Sequence, residues 1–407
     1  MKSNLCRFLA AVLLLGVSVS VTAQDNARPA SSTSIVYPQT RTVEHADDYF
    51  GTKVADPYRW MEDLNSPEVK QWIEEENKVT FGYLDTIPQR HEIKKRLEQV
   101  WNFERYSPPM KRGSRYFYSK NDGLQNQAVL YVADSFGATP RVLLDPNKLS
   151  QDGTVALGPH AITDAGKLMA YAIQTAGSDW EEWRVRDVAT GQDLPDHIVW
   201  SKFSGASWTK DGSGFFYSAY DPPKQGTALS GENYYQKLYF HKLGTPQAQD
   251  LLVYQTPEHK DWGFGGAVTD DGHYLVVYIS QGTDQRNRVY YKDLTDPKAP
   301  VVKLLDDFDA QYEFVDNDGP VFWFRTDNSA PMYRLIAIDT RHPEKANWKE
   351  ILPQGKDTLE AVSAIDNKFV AQYLQDAHSA VRIYDLTGKH LRDLPLPGIG
   401  SVAGANG

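Results

Sequence analysis

Cysteine is almost missing from this chain. The single one among 407 residues is Cys6, and it falls in a segment expected to be removed, leaving a mature protein without thiols or disulfides. A chain of this length can bury a large core, so its stability must come from packing rather than cross-links. Basic residues are also outnumbered: 43 Lys and Arg against 53 Asp and Glu give a net charge of −10. That balance argues against a nucleic-acid partner, which would need a basic face. Familiar catalytic patterns are missing too. There is no G-x-S-x-G nucleophile turn, since none of Ser178, Ser207 and Ser213 has both of its flanking glycines. There is no H-E-x-x-H, and the ten histidines are scattered without ligand spacing. No metal or cofactor is expected.

What the chain does contain is aromatic residues and turn formers. Aromatics make up 12% of it, with 23 Tyr and 10 Trp beside 29 Gly and 23 Pro, a composition that favours many short strands over helix bundles. The N-terminus reads as an export signal. Lys2 and Arg7 are its basic region, Phe8 to Val21 its apolar run, and Val21-Thr22-Ala23 places cleavage between Ala23 and Gln24. The run is short for a membrane span and has no basic stop-transfer flank. The expected location is therefore outside the cytoplasm, periplasmic or secreted, with no membrane attachment after signal removal.

Residues 24–40 are polar and unpatterned and read as a linker. Residues 41–110 carry two amphipathic helices. The first begins at Ser66-Pro67-Glu68, with Ser as N-cap, Pro at the first helical position and an acid in the first turn. Val69, Trp72, Ile73, Glu76, Val79 and Tyr83 follow at helical spacing. The second runs from about Pro88 to Trp101, with Ile93, Leu97, Val100 and Trp101 on one face.

From 111 to 407 a phrase recurs at roughly 45–60-residue spacing, a period typical of propeller blades. Polar turns precede aromatic strands: Thr163 to Gly166 before Leu168, Thr209 to Gly212 before Phe215, and Thr269 to Gly272 before Tyr274. Asp316 to Gly319 before Val321, and Asp366-Asn367 before Phe369, repeat the pattern. Asp/Asn-Gly pairs signal hairpins because both residues tolerate positive φ. The count is about six blades plus a stub at Gly400–Gly407. The fold class is thus mainly β, a β-propeller of the seven-bladed type broken off in its last blade, preceded by a short helical segment. The competing architecture is a twisted sandwich. An incomplete propeller is expected to expose two open sheet faces and to be marginal or sticky alone.

The remaining motifs are weak. Asp211, Asp271 and Asp318 fit turn formers better than acid–base pairs. Asp316-x-Asp318-Gly319 touches the calcium-loop pattern but lacks its glutamate. Gly398-x-Gly400-x-x-Ala403 matches a dinucleotide fingerprint with no room for its helix, and reads as a blade entry. Gly177 to Glu182 is a polar, aromatic loop inside a blade. Asp179, Trp180 and Glu181 are candidates for meeting a peptide at the propeller's inner mouth. The structural alternative, and the favoured one, is a tight turn with Trp180 filling the gap between blades.

These phrases resemble the prolyl oligopeptidase family of serine peptidases. The residues that carry the resemblance begin with Tyr37-Pro38-x-Thr40-Arg41, Asp56-Pro57-Tyr58-Arg59-Trp60-Met61-Glu62-Asp63 and Asn121 to Gln127. Leu143 to Asn147, Asp152 to Leu157, Gly177-Ser178-Asp179-Trp180 and Gly398-x-Gly400-Ser401-Val402 continue it. Phe50, where the family often has His, and Ala165, in place of the usual turn glycine, depart from the pattern. The resemblance implies an N-terminal segment that wraps onto an α/β-hydrolase domain, and a seven-bladed propeller that filters short peptides by size. The hydrolase domain cuts on the carboxyl side of proline. Its Ser, Asp and His belong to a part not found in this sequence, so no catalytic residue carries over to any position here. The helix faces around Val69 and Ile93 resemble surfaces made for that domain. The alternative reading is an exported propeller module that binds peptides or a protein partner. An unrelated propeller enzyme would need an acid–base or metal cluster in its channel.

Overall fold

The computed structural model describes residues 35–404 except 65, 225, 226 and 230. The expected signal, its Ala23–Gln24 cleavage point, most of the linker and positions 405–407 lie outside the described residues. The chain divides into two compact units that part between His91 and Glu92.

The first unit holds a hairpin, Ala46–Tyr49 with Thr52–Ala55, and helix α1, Pro67–Leu84. The hairpin turns on Phe50 and Gly51, both at positive φ, and the Asp48 carboxylate accepts from the Gly51 amide at 2.7 Å. Helix α1 starts as its sequence dictates. Ser66 is extended, and its hydroxyl accepts from the Val69 amide at 3.3 Å. Arg41 clamps the first turn through two bonds to Glu68, at 2.5 and 2.8 Å, and lies 4.8 Å over the Trp60 ring. Only Val69 of this helix is buried, while Ile73, Phe81 and Tyr83 are exposed. Helix α2, Arg90–Trp101, buries nothing, and its Ile93, Leu97, Val100 and Trp101 stay exposed. Both helices form where periodicity places them, with apolar stripes that remain open.

The second unit is built of four-stranded antiparallel blades, six among the described residues. Their inner strands are Met110–Arg112, Val155–Ile162, Ser207–Trp208, Trp262–Val268, Tyr312–Asp318 and Thr358–Ile365. Blades two and three also touch edge to edge at a single bridge, Ser201 with Ala219. Its core is a series of apolar slabs between successive blades. Phe117, Leu130 and Leu143 of the first blade meet Met169 and Tyr171 of the second. Trp183 and Ile198 of the second meet Phe215 and Tyr217 of the third, and the pattern repeats to Trp323 and Leu335 of the fifth against Phe369 and Tyr373 of the sixth. In the blades that have a neighbour on each side, large apolar residues bury both faces of the second strand, as in Gly214–Ala219, where every residue is buried.

The turns that announce the blades share one geometry. The amide of Thr163 donates to Leu168 O, that of Thr209 to Gly214 O and that of Thr269 to Tyr274 O, at 2.9–3.0 Å. Between them Gly166, Gly212 and Gly272 donate back to the threonine carbonyl at 2.7–2.9 Å. Asp211 and Asp271 accept from their threonine hydroxyls at 2.6 Å and from an amide two residues on, the work of turn formers. One expectation needs correction. In these turns only the glycine has positive φ, and the acidic residue before it does not. Two successive left-handed residues close the hairpins at Asp366-Asn367 and Asp376-Ala377, where no glycine follows and a primed two-residue turn is the way to close.

The turn glycines also set how closely blades approach. Gly166 sits at φ +67, and a Cβ there would lie 2.5 Å from Arg112 O. Gly319 sits at φ +52 with nothing within 4 Å. Gly319→Ala should therefore cost only the left-handed penalty, roughly 1–2 kcal/mol. Gly166→Ala should cost about 1–3 kcal/mol more, because the first and second blades must separate. Urea denaturation of both variants measures the difference, and equal losses would show that the inter-blade contact yields freely.

The outer faces of the end blades are open. Tyr118 stacks on Tyr131 at 5.6 Å in a groove of about 310 Å³ lined by Tyr106, Pro109, Tyr116, Tyr118, Phe136 and Pro140. At the other end, the strand His390–Leu394 is exposed throughout. Residues 395–404 form neither helix nor strand. They turn back over the sixth blade, where the Ser379 amide donates to Gly400 O at 2.9 Å and the Ser379 hydroxyl accepts from the Val402 amide at 3.0 Å. The glycine pair at 398 and 400 thus opens no helix.

Candidate functional site

The loop holding Asp179, Trp180 and Glu181 joins the second and third strands of the second blade, Leu168–Thr175 and Glu181–Asp187. Ala176 and Gly177 both adopt positive φ, reversing the chain. The Ser178 hydroxyl then accepts from the Trp180 amide at 3.1 Å and tucks the indole inward. Trp180 stands edge-on to Trp200 at 5.4 Å and to Tyr220 at 6.1 Å. Its Nε1 donates to Ala228 O at 2.6 Å. One indole therefore ties the second blade to the long segment between the second and third strands of the third, Gly214–Ala219 and Lys237–Lys242. Asp179 stays exposed beside it.

Glu181 is buried at 4% exposure. Its carboxyl faces the Ser201 hydroxyl at 3.4 Å. Burial pushes this group up to about 7 and the Asp179 charge adds to the rise, against the Ser204 amide and the Ser201 hydroxyl, which pull it down. It is a proton-holding carboxyl at the edge of the loop face. Ser201 is held in turn by the Trp183 indole, which donates at 3.0 Å, and donates to Ser218 O at 2.8 Å.

Beside this carboxyl the structure brings in residues that no pattern in the sequence singles out. Lys202 follows Ser201 and is 8% exposed. Its ammonium lies 3.0 Å from Asn233 Oδ1 and 4.3 Å from the Trp180 ring centroid. Gln236 braces it, donating to Lys202 O at 2.8 Å and accepting from the Phe264 amide at 2.6 Å. The backbone here is strained. Trp200, Phe203 and Tyr235 all sit at positive φ, a conformation that costs on the order of 1 kcal/mol or more for each bulky residue and gathers at functional sites. The available signal was the short run Ser201-Lys202-Phe203-Ser204 between two strands, which reads as an ordinary connection.

The other sequence candidates do structural work. Ser207 Oγ accepts from the Val268 amide at 2.9 Å, and Ser213 Oγ donates to Asp211 at 2.8 Å. Asp316 and Asp318 end the first strand of the fifth blade in a hairpin onto Val321. Among the described residues no group of three or more His, Cys, Asp or Glu side chains could hold a metal.

Four-stranded blades packed face to face through apolar slabs define a β-propeller domain. Residues 38–407 match the profile of the prolyl oligopeptidase N-terminal beta-propeller domain, and the chain belongs to the prolyl oligopeptidase family. It is 41% identical over 393 residues to the prolyl endopeptidase of Elizabethkingia meningoseptica, covering 97% of this chain and 55% of that protein. It is 32% identical over 413 residues to prolyl oligopeptidase A of Amanita bisporigera, covering 90% and 53%. Among solved structures, a prolyl endopeptidase matches with a TM-score of 0.68 at 37% identity, over 90% of this chain and 53% of that one. Prolyl oligopeptidase B of Galerina marginata, bound to a 35-residue hydrolysis and macrocyclization substrate, matches with a TM-score of 0.76 at 27% identity, over 89% and 54%. The chain thus spans about 55% of the length of the curated relatives it matches most fully.

Proposed function

We propose that these residues are the N-terminal segment and gating propeller of an exported serine peptidase that cleaves short peptides after proline. The single observation that carries this reading is the 41% identity to a prolyl endopeptidase across 97% of the chain. In this reading an α/β-hydrolase part supplies the serine, aspartate and histidine, and the stripes of Ile73, Phe81, Ile93 and Leu97, exposed in this structure, dock against it. The propeller passes only peptides thin enough for its loops, and Asp179, Trp180 and Glu181 belong to the peptide-facing edge. Attack on an amide needs an activated nucleophile with its base and oxyanion donors, so the 407-residue chain should be inactive alone.

A proline-containing chromogenic peptide tests this. The purified chain should release no chromophore above a mock preparation, and a chain extended through a hydrolase domain should cleave it in a serine-reagent-sensitive way. Activity of the short chain that a serine reagent abolishes would overturn the reading. Export is tested by the mass of the mature product, which should begin at Gln24.

A further inference from the structure

Burying an ammonium without a counter-charge is costly, because nothing replaces the hydration it loses. Lys202 is such a group. It is 8% exposed, and among the described residues no carboxylate lies within 4.0 Å of its nitrogen. An ammonium has three N–H donors. Asn233 Oδ1 takes one at 3.0 Å, and the face of Trp180, 4.3 Å away, attracts the charge without neutralising it. Glu181 does not supply the missing anion. It is turned to Ser201 at 3.4 Å, and burial keeps its proton on toward neutral pH. The amine nevertheless lies near the surface, 5.9 Å from the ring of Phe203, which is 61% exposed. Trp200 and Phe203, which flank this short run, and Tyr235, beside the Gln236 that holds the Lys202 carbonyl, are all left-handed. Backbone strain of this kind gathers at ligand-handling sites, and here it coincides with a buried, unpaired ammonium.

We infer that Lys202 is a specificity-determining residue that receives a carboxylate of a peptide ligand, against Trp180 and Asn233. The inference rests on the peptide-handling reading above and adds to it a preference for acidic peptides. Two sources share this chemistry: an acidic side chain and a free C-terminus. A charge-assisted bond is about twice as strong as a neutral one, so the preference should reach roughly tenfold in affinity.

The test uses the 407-residue chain and a set of proline-containing hexapeptides with amidated C-termini. Glutamate is walked through each position, and every peptide has a glutamine twin; one neutral peptide is also made with a free C-terminus. Dissociation constants are read by calorimetry at low salt for the wild type, Lys202→Met and Lys202→Arg. At least one glutamate peptide, or the free-acid peptide, should bind wild type about tenfold more tightly than its twin. Lys202→Met should erase that preference, and Lys202→Arg should keep most of it. Binding that is equal for acidic and neutral twins would overturn the lysine assignment and leave the peptide-facing reading intact. No binding by any peptide would overturn both. Should Lys202→Met fail to fold, protection of the wild-type Lys202 amine from methylation by the acidic peptide, mapped by mass spectrometry, decides the matter. Unprotected Lys202 at saturating peptide would count against the inference.

Discussion

His241→Ala is expected to destabilise the propeller by about 3–5 kcal/mol, the usual cost of stranding buried charge by removing its partner. His241 lies in the third strand of the third blade, Lys237–Lys242, and has no exposed surface. Its Nδ1 is 2.7 Å from Asp250 and its Nε2 is 3.0 Å from Asp196. Asp196 belongs to the outer strand of the second blade, Asp193–Ser201, so this one ring fastens two blades together. The carboxylates have other work as well. Asp250 accepts from the Tyr217 hydroxyl at 2.7 Å, and Asp196 accepts from the Gly244 amide at 2.5 Å. A neutral imidazole could donate to only one of the two acids, whereas an imidazolium donates to both. Burial alone would push the ring down, but the bonds from Asp250 and Asp196 outweigh it and hold the ring above its ordinary value.

That direction fixes a pH dependence. A histidine raised in the folded state contributes its full stabilisation below its unfolded value, near 6.5. The contribution is lost as pH rises through the folded value. Wild-type stability should therefore carry a falling component above pH 6.5 that His241→Ala lacks. Urea midpoints from pH 6 to pH 9 measure it. A loss under 1 kcal/mol, or identical pH profiles, would mean that the ring is neutral and that the two aspartates are satisfied without it.

Neither this clamp nor the lysine pocket could be read in the sequence, and the reason is the same for both. The repeats were legible because their determinants are local. A threonine five residues before its strand and a glycine between them fix each turn at Thr163, Thr209 and Thr269, and alternation does the rest. Helix α1 was legible from Ser66-Pro67-Glu68 for the same reason. His241 instead meets Asp196 across 45 positions, and Lys202 meets Asn233 across 31, through blade packing that no spacing rule encodes. Trp180 lies between these cases. Its loop stood out as polar and aromatic, but Trp200 reaches it through strand pairing inside the second blade, and Tyr220 and Ala228 become neighbours only when the second and third blades stack.

Glu181→Gln is expected to act in the opposite sense, stabilising the chain at neutral and alkaline pH. The carboxyl is pushed up to about 7 from an ordinary 4.5, first by burial. The folded state therefore holds this proton over a range in which the unfolded chain has released it. Stability from this group is complete below about pH 4.5, falls as pH rises toward 7, and levels off beyond. At about 1.4 kcal/mol per pKa unit, the rise from 4.5 to about 7 bounds the full difference at roughly 3.5 kcal/mol. Glutamine keeps the shape and an oxygen for the Ser204 amide but has no charge to desolvate. The two proteins should be equally stable at pH 4.5 and diverge through pH 7, with the variant more stable by about 2–3 kcal/mol at pH 8. The His241 component lies at higher pH and should survive in Glu181→Gln, so the profiles separate the two groups. A variant less stable than wild type at pH 8 would show that Glu181 is ionised and paired in the native state. Lys202 follows Ser201, which Glu181 faces, so a pairing between the two would give the ammonium its counter-charge and remove the ground for the carboxylate site.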